Sequence, residues 1–165
     1  MATQLKPMRY GKPQAVDPEE VARRTEINYA LVEGAAKNDL VKVEEALKNR
    51  ADIDCRYQGF TALYFACMKG YSKVVQYLLH HGARTDVVCN KQRTAIMIAA
   101  SRGRTKAVEL LLEYNANVHR KDERGVTARE LALRNGHEDI ASMLQIAEAA
   151  NMPRTELLLH RLAKS

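Results

Sequence analysis

Three stretches of this 165-residue chain align on one another without gaps, each 33 residues after the last. Gly59–Ala83 (GFTALYFACMKGYSKVVQYLLHHGA) lies over Gln92–Ala116 (QRTAIMIAASRGRTKAVELLLEYNA) and then over Gly125–Ala149 (GVTARELALRNGHEDIASMLQIAEA). Thr61, Thr94 and Thr127 fall in one register, Ala66, Ala99 and Ala132 in a second, and Gly70, Gly103 and Gly136 in a third. A fixed period of this length means an array of identical supersecondary units, each too small to bury its own apolar face and so stacked on its neighbours. A weaker unit, Leu31–Asp54, precedes them at an offset of 32, with Asn38 on Gly70 and Arg50 on Gly82.

One unit reads as two short antiparallel helices and a turn. A threonine ahead of an apolar stretch starts a helix, because its hydroxyl accepts from the orphan amides of the first turn. The glycine ends that helix where a left-handed residue is needed, with Asn38 the next-best residue for the role. A second helix follows, its buried stripe formed by Val74, Val75, Leu78 and Leu79, then by Val108, Leu111 and Leu112. The nine or so residues left over, such as His81–Cys89, are too polar and too few for a helix and form a turn or finger. Only 5% of the chain is aromatic and tryptophan is absent, which also favours helices over a β sandwich.

These residues resemble the ankyrin repeat family: the 33-residue period, Thr-Ala-Leu or Thr-Ala-Ile at Thr61 and Thr94, Ala99-Ala100, Gly136-His137, and Leu110–Leu112 match its pattern over roughly residues 30–149. The resemblance implies an all-α solenoid of helix-turn-helix units with β-turn fingers. Its divisions are a basic leader (1–16), a capping helix with a first degenerate repeat (17–55), repeats at 56–88, 89–121 and 122–151, and a leucine-rich helix (152–165). The proline usual after the threonine is Ala62, Ala95 and Ala128, and the histidine two further on is Tyr64, Met97 and Glu130. That departure weakens the stitching between repeats, although Tyr64 and Met97 can fill the space.

The flanks differ from the middle. Asp17 followed by Pro18, Glu19 and Glu20 predicts a helix from about Pro18 to Lys37. Residues 1–16 carry Lys6, Arg9 and Lys12 without an acid, and read as a solvated leader or as a basic arm for an acidic partner. After the break at Asn151-Met152-Pro153, Thr155–Ser165 holds Leu157, Leu158, Leu159 and Leu162. It reads as a helix that caps the last repeat or docks a partner.

Nothing in the chain assembles a catalytic set. HExxH, GxxxxGK[ST] and GxSxG are absent, the five histidines are scattered, and no cofactor or metal is expected. Cys55, Cys67 and Cys89 form no CxxC pair, and Cys55 and Cys89 are expected as surface thiols on neighbouring fingers. An odd cysteine count and the lack of an apolar signal core in Met1–Lys12 point to a cytoplasmic or nuclear protein.

Residues 56–121 carry eleven lysines and arginines against three acids, while the chain as a whole has a net charge of +6. Charge segregated by sign attracts acidic partners. The resemblance places partner contacts on finger tips and the concave side of the first helices. Here these are Tyr57, Phe60, Met68 and Lys69, then Lys91, Arg93 and Arg102, then Lys121, Arg124, Val126 and Arg134. The expected function is a non-enzymatic adaptor, inhibitor or assembly subunit that binds an acidic protein segment. The alternatives are nucleic acid on the same cations and a face that merely solubilises the array. A monomer is the default state for the isolated chain, and oligomerisation is left open.

Overall fold

A computed structural model describes residues 17–150, which form four helical hairpins stacked in a row. They are α1 (Pro18–Lys37) with α2 (Leu40–Lys48), α3 (Ala62–Lys69) with α4 (Ser72–His80), α5 (Ala95–Ser101) with α6 (Thr105–Glu113), and α7 (Ala128–Arg134) with α8 (Glu138–Ala150). The odd helices pack on one another in sequence and so do the even ones, which gives two parallel rows. Among the described residues there is no β-strand, only isolated antiparallel bridges at Tyr57–Phe60 and Lys121–Thr127. The all-α solenoid expected from the repeat is thus the observed class. The leader at 1–16 and the leucine-rich helix at 152–165 lie outside the described residues.

Local signals set the helix limits. Asp17 accepts from the Glu19 amide at 3.1 Å and caps α1, and the Thr61 hydroxyl accepts from the Tyr64 amide at 3.2 Å at the start of α3. At α7 the cap is reciprocal, since Thr127 accepts from the Glu130 amide while the Glu130 carboxylate accepts from the Thr127 amide. Glu130, one of the departures from the family pattern, therefore carries a stabilising bond of its own. Thr94 occupies the equivalent place but makes no such side-chain bond.

Gly103 shows why glycine ends the first helix of a unit. Its φ is +67°, and a Cβ there would lie 2.6 Å from the ring of His137, which the next repeat lays over it. Gly70 repeats the arrangement under Arg104, whose Nε donates to the Met68 carbonyl at 3.3 Å. One missing methyl group thus permits both the backbone turn and the approach of the following repeat.

The core runs continuously through the stack. Leu78, Leu111 and Leu144, equivalent residues of successive repeats, are fully buried, as are Ile96 and Val108. Tyr64 and Met97 are buried at the histidine position of the family pattern and fill it with apolar contact. Leu112, expected in the buried stripe, is only half-buried.

Backbone amides that donate to side-chain oxygens tie each finger to the one before. The Arg84 amide donates to Asp54 Oδ1 at 3.0 Å, and one repeat later the Asn117 amide donates to Asp86 Oδ1 at 3.1 Å. At the first hairpin, Asn28 of α1 takes this role and accepts from the Asp52 amide at 2.9 Å. The fingers also explain the offset of 32. Tyr57 pairs with Phe60 across two residues, whereas Cys89 donates to Arg93 and Asp122 to Val126 across three, so the first finger is one residue shorter.

Finger tips turn through left-handed residues. Gly59 and Gly125 have φ of +84° and +74°, but the equivalent residue of the middle finger is Gln92, at +54°, next to Lys91 at +62°. A side chain in that region costs about 1 to 2 kcal/mol. Gln92→Gly is therefore expected to stabilise the array by about 0.5 to 1 kcal/mol after the added freedom of the unfolded chain is allowed for, read as a higher urea midpoint. Leu111→Ala is expected to destabilise it by about 2 to 5 kcal/mol in the same measurement, because the cavity opens between layers that touch only their neighbours.

Candidate functional site

The ends of α3, α5 and α7 form adjacent steps of one surface. The Asn135 side-chain amide reaches the Ser101 hydroxyl at 3.4 Å from one repeat to the next, which joins the ends of α5 and α7. Lys69 and Arg102 are register equivalents on it and Arg134 stands one repeat on; all three are exposed. Lys91, Lys121 and Arg124 are exposed on the fingers beside them. None of these six cations forms an ion pair among the described residues, so their charge is presented outward.

Two of the expected contact residues are used internally. Phe60 and Met68 are half-buried and pack against the core, with the Phe60 ring 4.9 Å from Tyr64 and 5.5 Å from Phe65. Val126 is 4% exposed and offers almost no surface. Phe60 and Val126 sit at finger bases and close the top of the helical layer beneath them, whereas Met68, in the last turn of α3, packs against the core from the other end of the helix.

Arg93 is held by a charge of the next repeat. Its Nε lies 3.5 Å from Asp122 Oδ2 of the next finger, and the aspartate side chain is almost wholly enclosed. Asp122 Oδ1 also accepts from the amides of Arg124 at 2.9 Å and Val126 at 3.1 Å. Burial alone would raise this carboxyl. The two amides and the guanidinium outweigh it and hold the group below its ordinary range. The Arg93 charge is thus neutralised by a structural carboxylate.

The fingers form a connected edge. Asn90 Nδ2 donates to the Gln58 carbonyl at 3.2 Å, and the Glu123 amide donates to the Lys91 carbonyl at 3.1 Å. At one end of this edge Tyr57 meets Tyr29 of α1 edge to face, ring centroids 4.9 Å apart, with both rings about two-fifths exposed. Tyr29 was not among the expected contact residues. It lies in the helix preceding the repeat register, where the 33-residue alignment carries no information about it.

Elsewhere charge is balanced locally. Glu33 of α1 receives the ammonium groups of Lys37, at 2.7 Å, and of Lys42, and these hydrogen bonds hold its carboxyl at about 2. Cys55 and Cys89 are buried rather than on the surface as expected, and Cys67 is buried as well. Burial pushes the Cys55 thiol up to about 11, helped by Asp52 and Asp54, and also raises Cys67 and Cys89. Thiols held neutral in this way are poor nucleophiles and poor metal ligands. No group of three or more metal-ligating side chains occurs among the described residues, and no described helix is long and apolar enough to cross a membrane.

Asp122 generates a pH prediction. A carboxyl lowered by folding contributes stability above its unfolded value, near 3.8, and loses that contribution as pH falls through the folded value. Asp122→Asn is expected to lower stability at pH 7 by about 1 to 3 kcal/mol. The gap between variant and wild type should narrow steadily below pH 4, and urea titrations at pH 7, 5 and 3 measure it.

Comparison with known proteins agrees with this architecture. The family model described as "Ankyrin repeats (3 copies)" matches residues 14–89 and 82–155. Similar relatives include Ankyrin repeat domain-containing protein 40 of Mus musculus and of Homo sapiens, each 29% identical over 70 residues. Each match covers 41% of this chain and 19% of the relative, so the likeness is confined to a fifth of the relatives' length. With the family model spanning all the described residues and every hairpin in the expected register, the chain belongs to the ankyrin repeat family.

Proposed function

We propose that this chain is a non-enzymatic interaction module that holds an acidic segment of another protein along the ridge of α3, α5 and α7 and the adjoining fingers. Ankyrin repeats generally mediate protein–protein interaction, and the acidic character of the partner is what the charge distribution adds. The observation that carries the reading is the set of exposed cations Lys69, Lys91, Arg102, Lys121, Arg124 and Arg134 without internal ion pairs, whereas Glu33 and Asp122 are satisfied inside the array. Unpaired cations in a row raise the local potential and speed encounter with an acidic segment. The rigid edge of linked fingers holds them in place at little entropic cost on binding. The exposed Tyr29–Tyr57 pair supplies an apolar anchor at one end. A cytoplasmic or nuclear setting belongs to the same proposal.

Nucleic acid is the competing ligand for the same cations. One aromatic pair is a short platform compared with the run of stacking rings that single-stranded binders use, and this ranks the protein partner first. The deciding experiment is affinity capture from native lysate with mass spectrometry, comparing wild type with Lys69→Glu/Arg102→Glu/Arg134→Glu, with and without nuclease. The expected result is a protein partner rich in acidic residues, recovered at least about tenfold less by the variant and unaffected by nuclease. An unchanged partner list would remove the ridge from the binding surface, and nuclease-sensitive recovery would replace the protein reading with the nucleic-acid one. Arg93→Glu is unsuitable here, because it would place a second carboxylate against Asp122.

A further inference from the structure

The last repeat leaves open a surface that every earlier repeat covers with its successor. Cys67 and Ala100 are fully buried, but their equivalent Leu133 is 52% exposed. Leu63 and Ile96, also buried, correspond to Arg129, whose Nε lies 3.1 Å from Glu148 Oε2 of α8. Leu79, buried, and Leu112, half-buried, correspond to exposed Gln145. The end face is therefore an ion pair with a bare leucine on α7, and Ile146, 72% exposed, stands on α8. A polar outer face is usual for a terminal unit, and a large aliphatic side chain left bare on it, as Leu133 is, is not; Ile146 follows exposed His80 and Glu113 in register and lies off this face.

We propose that residues 155–165 of this same chain form a helix that lies across the end face, antiparallel to α8, with Leu158 and Leu162 over Leu133. Direction and length both favour this occupant. The Arg129–Glu148 pair places the C-terminal turn of α8 beside the first turn of α7, so the chain leaves Ala150 at the opposite end of α7 from Leu133. A segment that turns back from there runs toward Leu133. The proposed helix leaves four residues, 151–154 with Pro153 among them, for the connection, within the two to five that join antiparallel helices. From Arg129 to Leu133 is about 6 Å along a helix, and Leu158 and Leu162 lie about 4.5 to 10.5 Å into the proposed helix, so the leucines reach the right level. Leu158, Leu159 and Leu162 share one stripe at helical spacing, while Leu157 falls on the other side with Glu156, His160, Arg161 and Lys164. Leu158, Leu159 and Leu162 would then cover the end face.

Hydrogen exchange of the full-length chain tests this with Leu158→Ser/Leu162→Ser and with Leu133→Ser, alone and combined. The expected result is exchange at least about tenfold faster for amides of α7 and the last turns of α8 in either variant, with α3–α6 unaffected as the control for folding. The combined variant should exchange little faster than either alone, since both remove one contact. Unchanged exchange at α7 in the leucine variant would overturn the proposal. So would a dimer of the wild type, measured by light scattering, that the leucine variant converts to monomer, because the leucines would then serve a second copy.

Discussion

Burial of one repeat against the next is the interaction on which the rest of this molecule depends. No hairpin here encloses a core of its own: the side chains that are fully buried, Leu78, Leu111, Ile96 and their equivalents, are covered partly by their own hairpin and partly by a neighbour. Stability therefore accumulates along the row as nearest-neighbour contributions of about 25 cal/mol for each Å² of apolar surface removed from water. Interior repeats are held from both sides and terminal ones from one. Both ends accordingly depart from the repeat, with α1 lengthened to twenty residues and the last end face partly replaced by an ion pair.

Polar groups set the register that apolar burial alone would leave loose. Bonds from one finger to the next, Asp54 to the Arg84 amide and Asp86 to the Asn117 amide, recur at the period of the repeat and allow one alignment of neighbouring layers. The glycine contacts do the same from the other side, because His137 fits over Gly103 only when the two repeats are in step. These directional contacts substitute for the side-chain stitching that the family pattern assigns to the position held here by Tyr64, Met97 and Glu130. Two of those residues contribute apolar volume, and the third contributes a helix cap.

The same rigid frame determines which charges can meet a partner. Arg93, at a finger base, faces the following finger, whereas Lys69, Arg102 and Arg134, at the ends of odd-numbered helices, face solvent. Arg93 and Arg102 illustrate the difference: nine residues apart on one repeat, the first is held against buried Asp122 and the second is exposed. Low dielectric around the enclosed carboxylate strengthens the attraction and favours the paired state, whereas water screens cations on the ridge and leaves them available.

Most of the fold was legible in the sequence because each unit is local: the threonine, the glycine and the leucine stripe that define it lie within about 25 residues, and their spacing alone specifies two helices and a turn. The first helix, from Pro18 to Lys37, was equally plain from its capping residues. The surface was legible only as a list of candidates. Tertiary structure decided that Arg93 belongs to Asp122, that Val126 and the three cysteines are buried, that Phe60 and Met68 partly serve the core, and that Tyr29 joins Tyr57. Exposure and pairing are properties of the space between repeats. That space is formed by residues some 30 positions apart, whose side chains meet only once the layers are stacked.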